Sequence, residues 1–274
     1  MKNRYTLGGM RRPIVATTIA ALLMTVSACS TAKVDAAPTA ANGSVITTVE
    51  SGKFTCAMSG EYRPFNFYDT SNKLVGFDVD ICAAVASKLS LEPAPVTGAF
   101  NTLIAGLTSR RYDAIVGSMA ATPERQKQVD FSEPYYKTGA QLFVGANSKI
   151  KSSTELKDAT VGVALGTTFE AFARKLPGVT KVKTYQADID ALRDLEAGRL
   201  DAVITQGFMG KFLAKTAGLK VSAAGDVLFP DVASIPVNKE NPKLLAAINA
   251  ALKTMHDDGT YSKISMKWFG ENIS

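Results

Sequence analysis

The sequence predicts an α/β protein built as two similar lobes, each a mainly parallel sheet flanked by helices, facing one another across a cleft. Two observations predict it. From Phe54 onward strand-like and helix-like segments alternate, the pattern that sets helices on both faces of parallel sheets. The run Leu107-Thr-Ser-Arg-Arg-Tyr-Asp113-Ala-Ile-Val116 also recurs in register as Leu195-Glu-Ala-Gly-Arg-Leu-Asp201-Ala-Val-Ile204. In both copies a helix end runs into a buried strand.

The elements follow in order. Phe54 to Met58 reads as a short strand, and Phe77 to Leu89 as a helix with apolar residues at helical spacing. A helix over Phe100 to Tyr112 runs into a strand from Asp113 to Gly117. Thr122-Pro-Glu carries an N-cap residue followed by proline at the first helical position. Gly139 to Ala146 is an apolar strand long enough to pass between lobes. The alternation then resumes with strands at Thr160–Leu165, Lys181–Tyr185 and Asp201–Thr205 and helices at Thr167–Leu176 and Asp188–Gly198. A helix from Asn241 to Asp258 and a terminal segment from Tyr261 to Phe269 complete the chain.

The first residues read as an export signal. A basic stretch ends at Arg12, and an apolar run from Pro13 to Ala28 follows, too short for a bilayer span of about 20 residues and suited to a signal. Val26-Ser27-Ala28-Cys29 has the form of a lipoprotein cleavage site, so Cys29 is expected to carry a lipid. The residues after it, through 52, are expected to form a flexible tether. Residues 1–28 hold four of the cations and no acid, so the formal charge of +6 falls to +2 without them. That gives no reason to propose nucleic acid. Cys56 and Cys82 lie on apolar faces and are expected to be buried thiols, a disulfide being the alternative that export permits.

The absences favour binding over catalysis. His256 is the only histidine, on a charged helix, which argues against a Ser-His-Asp triad or a histidine metal site. No cysteine pair has metal spacing, and neither a phosphate loop nor a dinucleotide fingerprint is present. No metal or cofactor is expected. What is present favours capture of an anion. Arg125 falls in the first turn of a helix, where a cation opposes the dipole and an anionic partner offsets that conflict; Asp130 and Glu133 are the alternative partners. Gly166-Thr167-Thr168 opens a helix after a strand, with N–H groups free for an anion, although Thr167 also suits a plain N-cap. Gly117-Ser118 and Thr205-Gln206 lie just past strand ends, where ligands of open α/β sheets bind. Tyr62 and Phe100 are placed at the cleft mouth.

Several motifs then resemble those of the solute-binding proteins of ABC importers for polar amino acids. They are Gly60-Glu-Tyr-Arg-Pro-Phe65, Gly76-Phe-Asp-Val-Asp80, Thr122-Pro-Glu-Arg125, Val129-Asp-Phe-Ser-Glu-Pro-Tyr-Tyr136, Gly198-Arg-Leu-Asp-Ala202 and Asp258-Gly-Thr-Tyr261 through Lys267-Trp-Phe-Gly270. The resemblance runs from about Phe54 to Gly270 and implies a hinged, two-lobe, type II periplasmic-binding-protein-like fold. Residues 53–141 and 235–274 would form the first lobe and 142–234 the second. It implies an exported monomer anchored by lipid at the extracytoplasmic face, with an amino acid or related carboxylate as ligand and a membrane permease as partner. Arg125 and the Thr168 N–H would hold the α-carboxylate, with Thr167 beside them. Tyr62 and Phe100 would pack on the carbon chain, and Gly117 and Ser118 would contact the ammonium and carboxylate.

Some positions depart from the family's pattern. Gln206 stands where an aspartate usually pairs with the α-ammonium, Ala120 where Ser or Thr is common, and Phe169 where Gln is frequent. Ser59 stands where binders of Lys or Arg often carry aspartate. An unpaired α-ammonium is costly to bury, so the ligand is expected to be other than a standard α-amino acid unless Glu61 or Glu170 supplies the negative charge. The expected order is acidic or neutral amino acids and their derivatives first, other small carboxylates second, and Lys or Arg last. The resemblance also admits an enzyme of the cyclohexadienyl (prephenate/arogenate) dehydratase kind, with Glu170 as acid, or a ligand sensor.

Overall fold

The computed structural model describes residues 46–274. The expected signal segment, Cys29 and the tether as far as residue 45 lie outside the described residues. From Ile46 the chain is docked rather than loose. Ile46 is buried, the Thr47 carbonyl accepts from Asn241 Nδ2 at 2.9 Å, and the Val49 N–H donates to Asp113 at 2.6 Å.

Two sheets carry the molecule. The first has the order Glu92–Thr97, Lys53–Met58, Ala114–Ile115, Pro236–Asn238, Val129–Phe131. The second has the order Val179–Tyr185, Ala159–Ala164, Ala202–Gln206, Tyr136–Gly145, Val221–Ser234, Met119–Ala120. In each sheet the first three strands pair in parallel and every later pair of neighbours is antiparallel. A small antiparallel sheet of Glu61–Tyr62, Asn66–Tyr68 and Leu74–Val75 sits beside the first.

The repeated sequence unit is a repeated structural unit. Asp113 donates its N–H to the Thr55 carbonyl at 2.9 Å and takes the Thr55 N–H on its carboxylate at 2.7 Å. Asp201 does the same with Thr160, at 3.0 and 2.7 Å. In each lobe an aspartate thus pins the start of one parallel strand to the next, satisfying backbone groups that the ladder leaves open.

Two expectations about elements change. The helix over 100–112 is a 3-10 turn at Phe100–Thr102 followed by an α-helix only from Leu103 to Thr108, and Arg110 then turns left-handed at φ 54°. The Thr122-Pro signal opens a single turn, Pro123–Gln126, capped by the Thr122 hydroxyl accepting from the Arg125 N–H at 3.2 Å.

The expectation of two free thiols is corrected. Cys56 and Cys82 form a disulfide with Cα atoms 6.4 Å apart, inside the usual range. The apolar faces that suggested burial are the facing surfaces of the strand Lys53–Met58 and the helix Phe77–Lys88, so the same packing brings the sulfurs together. Closing such a loop stabilises by about 3 kcal/mol. Among the described residues no helix is long and apolar enough to cross a membrane.

Candidate functional site

A cavity opens between the two sheets, lined by polar and aromatic side chains from both. It brings together eight of the nine candidate ligand residues: Ser59, Tyr62, Phe100, Gly117, Ser118 and Arg125 from the first lobe, Thr167 and Thr168 from the second.

The first-lobe wall rests on a buried aspartate that sequence reasoning did not single out. Asp78, in the first turn of the helix Phe77–Lys88, accepts from Asn66 Nδ2 at 2.6 Å, the Tyr135 hydroxyl at 2.7 Å and the Ser118 hydroxyl at 2.9 Å. Asn66 in turn accepts from the Ser59 hydroxyl at 2.8 Å, and Tyr135 accepts from the Ser118 N–H at 2.8 Å. One carboxylate therefore orients Ser59 and Ser118 together. Burial raises the Asp78 pKa to about 6 despite those three donors. The arrangement needs Gly76, because a Cβ there would sit 2.1 Å from the Phe65 carbonyl oxygen. Ser118 is left-handed at φ 56°, a strain its two hydrogen bonds hold in place.

Arg125 projects from its short turn over Phe100, its Cζ 5.6 Å from the ring centroid. Nη1 donates to the Ala120 carbonyl at 2.7 Å and Nη2 to the Gly166 carbonyl, across the cleft, at 2.9 Å. Asp130 pairs with Lys239 instead, and among the described residues no carboxylate forms an ion pair with Arg125. Three of its five N–H groups are not engaged in those two bonds. Burial lowers its pKa, and the nearby charge of Asp231 resists that shift.

On the second-lobe wall Thr167 caps the helix Thr168–Ala173, accepting from the Glu170 N–H at 3.2 Å and donating to the Ala164 carbonyl at 2.7 Å. The Thr168 hydroxyl donates to Asp231 at 3.1 Å. Glu170 stays off the cavity wall: it pairs with Arg174 at 2.6 Å and takes the Gly166 N–H at 2.7 Å. Phe169 and Ala120 do line the cavity, and so do three acids, Glu61, Asp188 and Asp231. Asp188 opens the helix Asp188–Glu196 and accepts from the Thr205 hydroxyl at 2.6 Å. Burial raises its pKa to about 6, and that of Asp231 also rises through burial.

Gln206 requires a correction. It is 2% exposed and caps the helix Gly207–Thr216, its Oε1 accepting from the Met209 N–H at 2.5 Å. It borders a different cavity, beside Phe65, Tyr136 and the last four residues. A helix start with open N–H groups claims a side-chain acceptor, and that claim turns Gln206 away from the cleft. The deduction that the cleft lacks negative charge fails with it. Asp188 follows the strand Val179–Tyr185 by three residues, so the strand-end rule that pointed to Gly117 and Ser118 would also have found it.

Comparison with known proteins agrees with this geometry. Residues 54–271 match the bacterial extracellular solute-binding proteins, family 3. The L-cystine-binding protein TcyJ of Escherichia coli (strain K12) is 32% identical over 227 residues, covering 82% of this chain and 85% of that protein. The putative ABC transporter arginine-binding protein 2 of the same organism is 38% identical over 223 residues, covering 78% and 89%. The solved structure of an ancestral arginine-binding protein bound to arginine aligns with TM-score 0.76 at 38% identity, covering 80% of this chain and 98% of that one. The fold is that of the type II periplasmic binding proteins. A cavity shared by two lobes, walled by Arg125 and a hydrogen-bonded Ser118, thus belongs to a chain that is a member of the bacterial extracellular solute-binding proteins, family 3.

Proposed function

We propose that this protein captures an α-amino acid outside the cytoplasm, closes its two lobes over it, and hands it to the permease of an ABC importer. The carrying observation is Arg125: a half-buried guanidinium, bonded only to the Ala120 and Gly166 carbonyls, lining the cavity between the sheets. A half-buried cation without a carboxylate is costly unless a ligand supplies one, and the guanidinium fork suits a carboxylate. The Thr168 N–H, at the start of its helix, is the second donor for that carboxylate. Ser59, Gly117 and Ser118 face the same space, and Tyr62 and Phe100 give apolar walls for a carbon chain. Relatives named for cystine and arginine support the ligand class.

In this reading the lobes comprise 53–141 with 235–274, and 142–234, and they swing about the paired strands Tyr136–Gly145 and Val221–Ser234. Lipidated Cys29 holds the protein, as a monomer, at the outer face of the membrane. The dehydratase alternative is weakened because Glu170, its acid, is engaged with Arg174 and the Gly166 N–H and does not reach the cavity. A thermal-shift screen of amino acids tests the proposal. A ligand at 100 times its dissociation constant adds about 2.7 kcal/mol, so a true ligand moves the melting curve clearly. No response from any amino acid, or turnover of prephenate or arogenate, would overturn it.

A further inference from the structure

The charges that line the cavity do not balance. Arg125 is its one cation, while Glu61, Asp188 and Asp231 are acids, leaving two negative charges when all are ionised. Asp188 is 4% exposed, and a threonine hydroxyl is its side-chain partner. Asp231 has the Thr168 hydroxyl. Neither forms an ion pair with a described residue. Asp188 is a buried carboxylate without a cation, which is expensive to hold, and burial raises its pKa. Asp231 is half-buried, and its pKa rises through desolvation although the charge of Arg125 pulls it down.

The two acids occupy different places. Asp231, on the long strand Val221–Ser234, shares Thr168 with the helix start facing Arg125 and feels the charge of Arg125. Asp188 comes from a separate helix start and is anchored to Thr205, one residue before Gln206. An α-amino acid carries its carboxylate and ammonium on one carbon, so those two groups need neighbouring partners of opposite sign. Arg125 and Asp231 are such a pair. Asp188 is then left for a positive charge farther along the ligand.

Resting on the amino-acid reading above, we propose that the ligand is a dibasic amino acid. Its α-carboxylate is held by Arg125, its α-ammonium by Asp231, and its distal ammonium or guanidinium by Asp188, with Glu61 adding negative charge at the wall. The negative charge that Gln206 does not bring is supplied from two other elements. The preference for acidic and neutral ligands drawn from Ser59 and Gln206 is thereby reversed.

Citrulline is the deciding probe, since it matches arginine in shape but has no distal charge. Calorimetric titration of the detergent-solubilised full chain should show arginine or lysine binding at least about 30-fold more tightly than citrulline or glutamine, the loss expected for a buried charge pair. Asp188→Asn should weaken arginine far more than citrulline and so remove the difference between them. Asp231→Asn should weaken both, because both carry the α-ammonium. The wild-type ranking needs no variant, and a melting curve checks that each variant is folded. Binding of glutamine or cystine with equal or greater affinity than arginine would overturn the dibasic assignment and leave amino-acid capture standing. Equal loss of arginine and citrulline in Asp188→Asn would overturn the role of Asp188. No binding of any amino acid would overturn both readings.

Discussion

Arg125 and Gly166 meet across the cleft, the guanidinium Nη2 donating to the glycine carbonyl at 2.9 Å. One side chain therefore both faces the cavity and ties the lobes together. Arg125→Ala is expected to abolish amino-acid binding, with about 30-fold to several-thousand-fold loss of affinity for a broken charge-assisted contact. Ligand-free stability should change by less than about 1 kcal/mol, since both lost bonds go to backbone carbonyls that water can reach on opening. Titration calorimetry beside a thermal melt separates the two effects. Normal binding would make Arg125 a structural strut.

Gly166 tests closure from the other side. A Cβ at this position would lie 2.7 Å from Asn101 Cβ and 3.1 Å from its Cα, and φ is +78°. Gly166→Ala should hold the lobes apart and weaken ligand binding roughly 10-fold, the equivalent of ~1.4 kcal/mol. Small-angle scattering should then show less compaction with ligand than in the wild type. Unchanged affinity would mean that Asn101 yields freely.

Asp78 is expected to tolerate even asparagine poorly. Asn66, Ser118 and Tyr135 all donate to its carboxylate, so an amide would bring a donor to face a donor. Asp78→Asn should cost about 1–3 kcal/mol of stability and weaken binding through misplaced Ser59 and Ser118. Urea unfolding measures the first effect and titration the second. A variant of full stability would show that the network adapts.

Acid should move stability and binding in opposite directions. Asp78 and Asp188 have pKa values raised to about 6, above the ordinary 3.8. Between about pH 4 and 6 the folded chain holds protons that the unfolded chain releases, so ligand-free stability rises as pH falls through that window. Asp194 and Asp258, held low by Arg199 and Lys88, act in the opposite sense, but only below about pH 4. Scanning calorimetry should find a higher melting temperature at pH 5 than at pH 7, by about 2–4 °C for each kcal/mol gained. Affinity for a dibasic ligand should fall towards tenfold per pH unit below about 6 as Asp188 takes up its proton. A melting temperature that drops on going to pH 5 would contradict the burial argument.

Membrane attachment is tested outside the described residues. Cys29→Ala should release the protein into the medium or block its maturation, read by fractionation and mass spectrometry. A membrane-held product retaining residues 1–28 would make the apolar run itself the anchor.

Periodicity and strand-end logic made the alternating elements and the cleft-facing Ser118 legible from sequence, and the dipole conflict of a cation in a first helical turn singled out Arg125. Other parts were hidden for physical reasons. Glu92–Thr97 contains Pro93 and Pro95 and forms an edge strand, where proline is tolerated. The helix Gly207–Thr216 looks like a loop because of its glycines, yet a Cβ at Gly210 would meet the Phe143 ring at 2.3 Å. Asp188 was masked by convention: an acid at a helix start already has a reason to be there. Gln206 misled because its backbone lies at a strand end while the next helix claims its side chain. Spacing locates a residue along the chain, but competition between nearby donors decides where its side chain goes.

The docking of the chain at Ile46 bears on how closure could be watched. Thr47 and Val49 are bonded to Asn241 and Asp113, and the terminal helix Thr260–Phe269 packs on Phe77–Lys88 and Pro242–Asp257. The described chain therefore both begins and finishes on the first lobe. Fluorophores fused at its two ends would ride on the same body and report little. A sensor needs one label on the far lobe, and exposed Ala197, which closes the helix Asp188–Glu196 at φ −75°, offers a place for it.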